Sequence, residues 1–113
     1  MSQHLTLIPI TPAGAALTLS LYGVTYRAID RIGDKQTFRV DFHPTYAADF
    51  DRVVAAAVRG EDATMTATAS RGGLSSAGGV LTLHGQTEAA PPERVSWTLG
   101  PEAASELRQW IKR

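Results

Sequence analysis

Apolar and polar residues alternate with a period of two along much of the chain and switch twice to a period near 3.6. From Ala15 to Tyr22, Leu17, Leu19 and Leu21 point one way while Thr18, Ser20 and Tyr22 point the other, which predicts a half-buried strand. Gly23 ends it. Val24 to Ile32 predicts a second strand, with Val24, Tyr26 and Ala28 on one face and Thr25, Arg27 and Ile29 on the other; Asp30 interrupts its apolar side. After the turn signal Gly33-Asp34-Lys35, Phe38, Val40 and Phe42 alternate with Thr37, Arg39, Asp41 and His43. The two segments together predict an antiparallel hairpin, ended by Pro44.

The period then becomes helical. Tyr46, Phe50, Val53, Val54 and Ala57 share one helix face. Thr45 is placed as an N-cap without a capping box, since Ala48 stands three residues on. Asp49 and Asp51 lie toward the start and Arg59 toward the end, as the helix dipole favours, and Gly60 suits a left-handed closure.

Ala63 to Ala69 alternates Thr64, Thr66 and Thr68 against Met65, Ala67 and Ala69, a strand whose small inward residues suit close packing on the helix. Ser70 to Gly79 reads as a flexible, glycine-rich connector. Val80 to Gly85 predicts a short strand with Leu81 and Leu83 inward, and Gln86 to Pro92 a loop. Val95, Trp97 and Leu99 alternate with Arg94, Ser96 and Thr98 in a last strand. Gly100-Pro101 opens a final helix with Ala103, Leu107, Trp110 and Ile111 as its apolar stripe. Near the beginning, Leu5, Leu7, Ile8 and Ile10 put apolar residues on both faces of a strand, which predicts either a place at the centre of the sheet or pairing with another chain.

This order predicts an α+β fold, a single domain over residues 1–113, with an antiparallel or mixed sheet of about five to seven strands packed against two helices. The absence of βαβ alternation argues against a doubly wound nucleotide-binding fold. No internal repeat is visible. A length of 113 residues suits one core.

Composition narrows the function. Lys plus Arg and Asp plus Glu are both 11, so overall charge does not drive binding to polyanions. There is no cysteine, which excludes disulfides, thiolate metal sites and cysteine nucleophiles. Prolines interrupt the apolar start of the chain and no apolar run is long enough for a membrane span, so the expected location is the cytoplasm, or a virion if the source is a phage. The preference for Arg over Lys fits a GC-rich bacterial or phage genome.

The candidate chemistry is sparse. His4, His43 and His84 lack a second histidine at metal-ligand spacing. Asp41 and His43 share a strand face with Arg39, an arrangement able to orient a base, but no nucleophile or third ligand accompanies them. The stretch from Arg71 to Gly79 lacks the lysine and spacing of a phosphate loop; as a functional element it would be a mobile binding loop carrying Arg71 and Leu74. Ser75 and Ser76 sit in no nucleophile elbow. Arg27 and Arg39 predict a local positive patch on the hairpin, with Tyr22 as its nearest stacking residue.

The favoured function is therefore a non-catalytic protein–protein interaction or assembly module, such as a small adaptor, a phage-particle-type subunit or an accessory binding protein. Its partner is another protein or a second copy, neither a membrane nor nucleic acid, and no cofactor is called for. The candidate interaction surface comprises Arg27, Arg39, Asp41, His43, Arg71 and Leu74. Two alternatives come from other classes: a small-ligand site or small enzyme between the sheet and the helix over 46–59, and anion or nucleic-acid binding by the Arg27/Arg39 face.

Overall fold

A computed structural model describes residues 4–10, 16–22, 25–32, 35–42, 44–67, 72–86 and 94–112. In chain order the elements are β1 (His4–Leu7), β2 (Ala16–Tyr22), β3 (Thr25–Ile32), β4 (Lys35–Phe42), α1 (Pro44–Val58), β5 (Ala63–Ala67), β6 (Gly72–Ala77), β7 (Val80–Gln86), β8 (Arg94–Thr98) and α2 (Ala103–Lys112). Four strands followed by one helix thus occur twice. The repeat lies in the topology, where the amino-acid sequence shows none.

The strands form two antiparallel four-stranded sheets, ordered β1-β2-β3-β4 and β5-β6-β7-β8. The α+β class and the two helices agree with the sequence pattern, but a single sheet of five to seven strands does not form. Within each sheet, consecutive strands are neighbours and pair antiparallel. The 15-residue α1 carries the chain away from β4, so β5 begins a new sheet instead of extending the old one.

Register follows the alternation. Leu19 stands opposite Leu5 and Ala28, and Ala28 opposite Val40. The register shifts between Asp30 and Arg31, the point at which Asp30 breaks the apolar pattern; an extra residue in one strand is how a sheet absorbs such an interruption. In the second sheet, Met65, Leu74, Leu83 and Trp97 make one continuous inward row.

β6 corrects the reading of 70–79 as a connector. Gly72 to Ala77 is a strand between β5 and β7. A side chain at Gly73 would place its Cβ 2.9 Å from the Met65 carbonyl oxygen, so glycine is what lets β5 approach. The pairing of Ala77 with Val80 leaves Gly78 and Gly79 as a two-residue turn. Their φ angles of 60° and 93° are the left-handed values a tight hairpin needs. Loop-like composition here encodes a close-packed strand and its turn.

The turn is tied to the end of α1. The Gly78 amide donates to Asp62 Oδ1 at 2.8 Å, and Ser76 Oγ donates to the Glu61 carbonyl at 2.8 Å. α1 itself closes at Gly60, whose amide donates to the Ala57 carbonyl at 3.0 Å while the Glu61 amide reaches back to Ala56 at 2.9 Å, the paired bonds of a glycine C-cap. α1 starts at Pro44, so that proline opens the helix and Thr45 lies inside it. α2 starts two residues beyond Pro101, with the Ala103 amide donating to Gly100 at 3.1 Å.

One buried cluster joins both halves. It includes Leu7, Leu17 and Leu19 of the first sheet, Phe50, Val53, Val54 and Ala57 of α1, the inward row of the second sheet, and Ala103, Leu107 and Trp110 of α2. α1 packs on α2, on β5, β6 and β7, and on β3 and β4 of its own half; α2 packs on β7 and also on β1. Each helix therefore covers strands of both halves. The radius of gyration, 13.0 Å, is that of one compact unit of about this length.

Candidate functional site

The outward face of the second sheet is hydroxyl-rich. Register aligns Thr64, Ser75, Thr82 and Thr98 across its four strands, and beside them Thr66, Gly73, His84 and Ser96. His84 bridges two serines: its Nε2 lies 3.1 Å from Ser75 Oγ and its Nδ1 3.1 Å from Ser96 Oγ. A neutral imidazole donates through one nitrogen and accepts through the other, so it satisfies both hydroxyls at once. Burial lowers the His84 pKa below its usual 6.5, and the Arg94 charge lowers it further.

This pair has the contact a serine nucleophile and its base would need. Ser96, a hydroxyl, occupies the nitrogen that a carboxylate would orient. Ser75 and His84 lie on interior strands flanked by paired neighbours, with backbone committed to the ladders on either side. The two hydrogen bonds link β6, β7 and β8 across the outward face of the sheet. The sequence shows Ser75, His84 and Ser96 but not the register that brings them together.

The predicted hairpin surface is only partly assembled by the backbone. Arg27 stands directly opposite Asp41, and Ile29 directly opposite Arg39. Arg27 and Arg39 thus hold diagonal, not directly opposite, register positions. His43 and Arg71 lie outside the described residues. Leu74 is 1% exposed, in the inward row of the second sheet. It is a core residue, because the segment containing it is a strand and not a projecting loop. Among the described residues, no group of three or more His, Asp or Glu is placed to hold a metal ion.

The space between α1 and the second sheet, part of a predicted alternative site, is filled by Phe50, Val53, Val54 and Ala57 packed against the inward side chains of that sheet. A cleft of about 240 Å³ instead opens between the end of β1 and the start of α2, lined by Thr6, Leu7 and Ile8 on one side and by Leu99, Glu102 and Glu106 among others opposite. Sequence reasoning places residues 5–10 in a sheet centre or against another chain. Among the described residues, β1 is an outermost strand and not a central one. Beyond β1, Ile8 is 69% and Ile10 57% exposed, while Pro9 between them is buried. The Ile10 amide donates to the Thr98 carbonyl at 2.7 Å, pinning this segment against the end of β8.

No described helix is long and apolar enough to cross a membrane. Comparison with known proteins gave no match to a family model, a curated protein or a solved structure.

Proposed function

We propose that this chain is a non-catalytic protein–protein interaction or assembly module that engages its partner along the outer edge of β1 and the Ile8–Ile10 segment. The observation that carries the reading is the outward display of Ile8 and Ile10 by a backbone fixed at both ends. Pro9 is buried and the Ile10 amide is bonded to Thr98, so the two isoleucines are held in solvent by the fold rather than by a loose terminus. Among the described residues β1 is an edge strand, and exposed apolar side chains beside such an edge are a recurring protein-binding arrangement. The filled interface between α1 and the second sheet favours this reading over a ligand site there.

Light scattering and a pull-down test it, each with wild type and the Ile8→Asp/Ile10→Asp double variant. Self-association or a captured protein that the double variant loses, with unchanged circular dichroism, is expected. A strict monomer at high concentration whose captured proteins are the same for both baits contradicts it.

A further inference from the structure

Among the described residues, the first strands of the two sheets meet the helices packed on them differently. In the second half, α1 lies along β5, the outer strand, and Arg52 Nη2 donates to the Thr64 carbonyl at 3.0 Å. A helix-borne cation thus serves the backbone of that edge strand. Asp49 lies 3.6 Å from Arg52 Nε, holding the guanidinium from the helix side. In the first half, α2 packs on β1, and the helix side of the cleft between them carries Glu102 and Glu106. Carboxylates accept hydrogen bonds and donate none. They lie four residues apart on one face of the helix start, where their like charges repel. Both are exposed, and among the described residues neither has an ion-pair partner. The side of the cleft formed by Leu7 and Leu99 is apolar and buried.

The cleft therefore combines a strand edge, an apolar floor and two carboxylates. At about 240 Å³ it falls below the ~300–1,000 Å³ of small-molecule pockets and suits one long side chain of an extended segment. Resting on the proposed binding role of the β1 edge, we propose that the β1–α2 cleft receives an extended, lysine- or arginine-bearing segment of another protein. The segment adds as a strand to β1, lays its basic side chain over Leu7 and Leu99 to end between Glu102 and Glu106, and sets an apolar neighbour against Ile8. Such side chains bury an apolar stem while keeping the charged end paired.

Fluorescence anisotropy on the full chain tests this with three labelled peptides: Val-Lys-Val-Lys-Val-Lys-Val and its counterparts with Glu or Ser in place of Lys. Saturable binding of the lysine peptide is expected, weakening as salt rises. The Glu102→Gln/Glu106→Gln variant, which keeps shape and replaces only exposed charge, should weaken it by about tenfold or more, and the glutamate peptide should bind at least that much more weakly than the lysine peptide. Equal binding of all three peptides, abolished by Ile8→Asp/Ile10→Asp, would overturn the basic specificity and leave the edge reading standing. Binding of no peptide, while that isoleucine variant still disrupts self-association or partner capture, would likewise overturn this proposal alone. Lysine-peptide affinity unchanged in the glutamine variant would also overturn it.

Discussion

Truncating Phe50 tests whether the two halves share one core. Phe50 is 0% exposed and sits in α1, which packs on α2 and on strands of both sheets. Phe50→Ala removes a fully buried ring. Such truncations cost about 3–5 kcal/mol, from lost transfer energy and from the cavity left behind. A domain of this size has about 5–15 kcal/mol in total, so a large share of the stability goes. At roughly 4 °C per kcal/mol, Tm falls by about 12–20 °C. Phe50→Leu, which leaves a smaller cavity, should cost a fraction of that and guards against a variant too unstable to study. Urea unfolding followed by Trp97 and Trp110 fluorescence reports on the second half. Amide exchange at Leu17 and Leu19 in β2 reports on the first. Because Leu17, Leu19 and both tryptophans belong to the same buried cluster as Phe50, the two probes should lose the same free energy. A variant in which tryptophan fluorescence shifts by several kcal/mol while β2 amides keep wild-type protection would refute the shared core. So would a loss below about 1 kcal/mol in Phe50→Ala, since a well-packed buried ring cannot be removed so cheaply.

Gly73→Ala should destabilise by about 1–3 kcal/mol in urea unfolding, because its Cβ would lie 2.9 Å from the Met65 carbonyl oxygen; a gain, the ordinary result where alanine fits without strain, would show that β5 and β6 are not so close. Gly79→Ala should cost about 1–2 kcal/mol, since its φ is 93° and the new methyl would stand 3.2 Å from the Ala57 carbonyl oxygen; an unchanged Tm counts against the turn as described. His84 has a folded pKa below 6.5, so the unfolded chain binds the proton more readily: the stability it contributes is complete above about pH 6.5 and is lost as pH falls through that value toward the folded pKa. His84→Gln should flatten this part of the stability–pH profile measured by urea unfolding, and a profile parallel to wild type would contradict the assignment.

Much of the fold is legible in the alternation of side chains. β2, β3, β7, β8 and the apolar stripe of α1 fall where period two and period 3.6 place them, and Phe50, Val53, Val54 and Ala57 are buried as their spacing predicts. What alternation cannot convey is pairing. It places His84 and Ser96 on the outward side of their strands and leaves Ser75 in a connector; only register makes the three neighbours, and register is fixed by turns and by the core they all share. The same limit hides the division into two sheets, since nothing in the β4 or β5 pattern names its neighbour. Glycine misleads in a different way. Gly72, Gly73, Gly78 and Gly79 read as flexibility, whereas two lie in a strand and two make its turn. Leu74 is the clue: one leucine in a glycine–serine run, and it is core. Ile8 and Ile10 are legible as apolar residues in excess of what one sheet face needs; their outward display comes from buried Pro9 and the bond to Thr98, which no local pattern reveals.

Dividing the chain tests the interlocked arrangement most directly. Fragments 1–62 and 63–113 each hold four strands and one helix, yet each helix packs on strands of the other fragment. Prepared separately, both should lack cooperative unfolding and show rapid amide exchange. Mixed in equal amounts, they should regain slow exchange in both sheets and the buried-tryptophan fluorescence of the intact chain. Either fragment folding stably alone, or a mixture that recovers neither signal, would contradict a single core built from both halves.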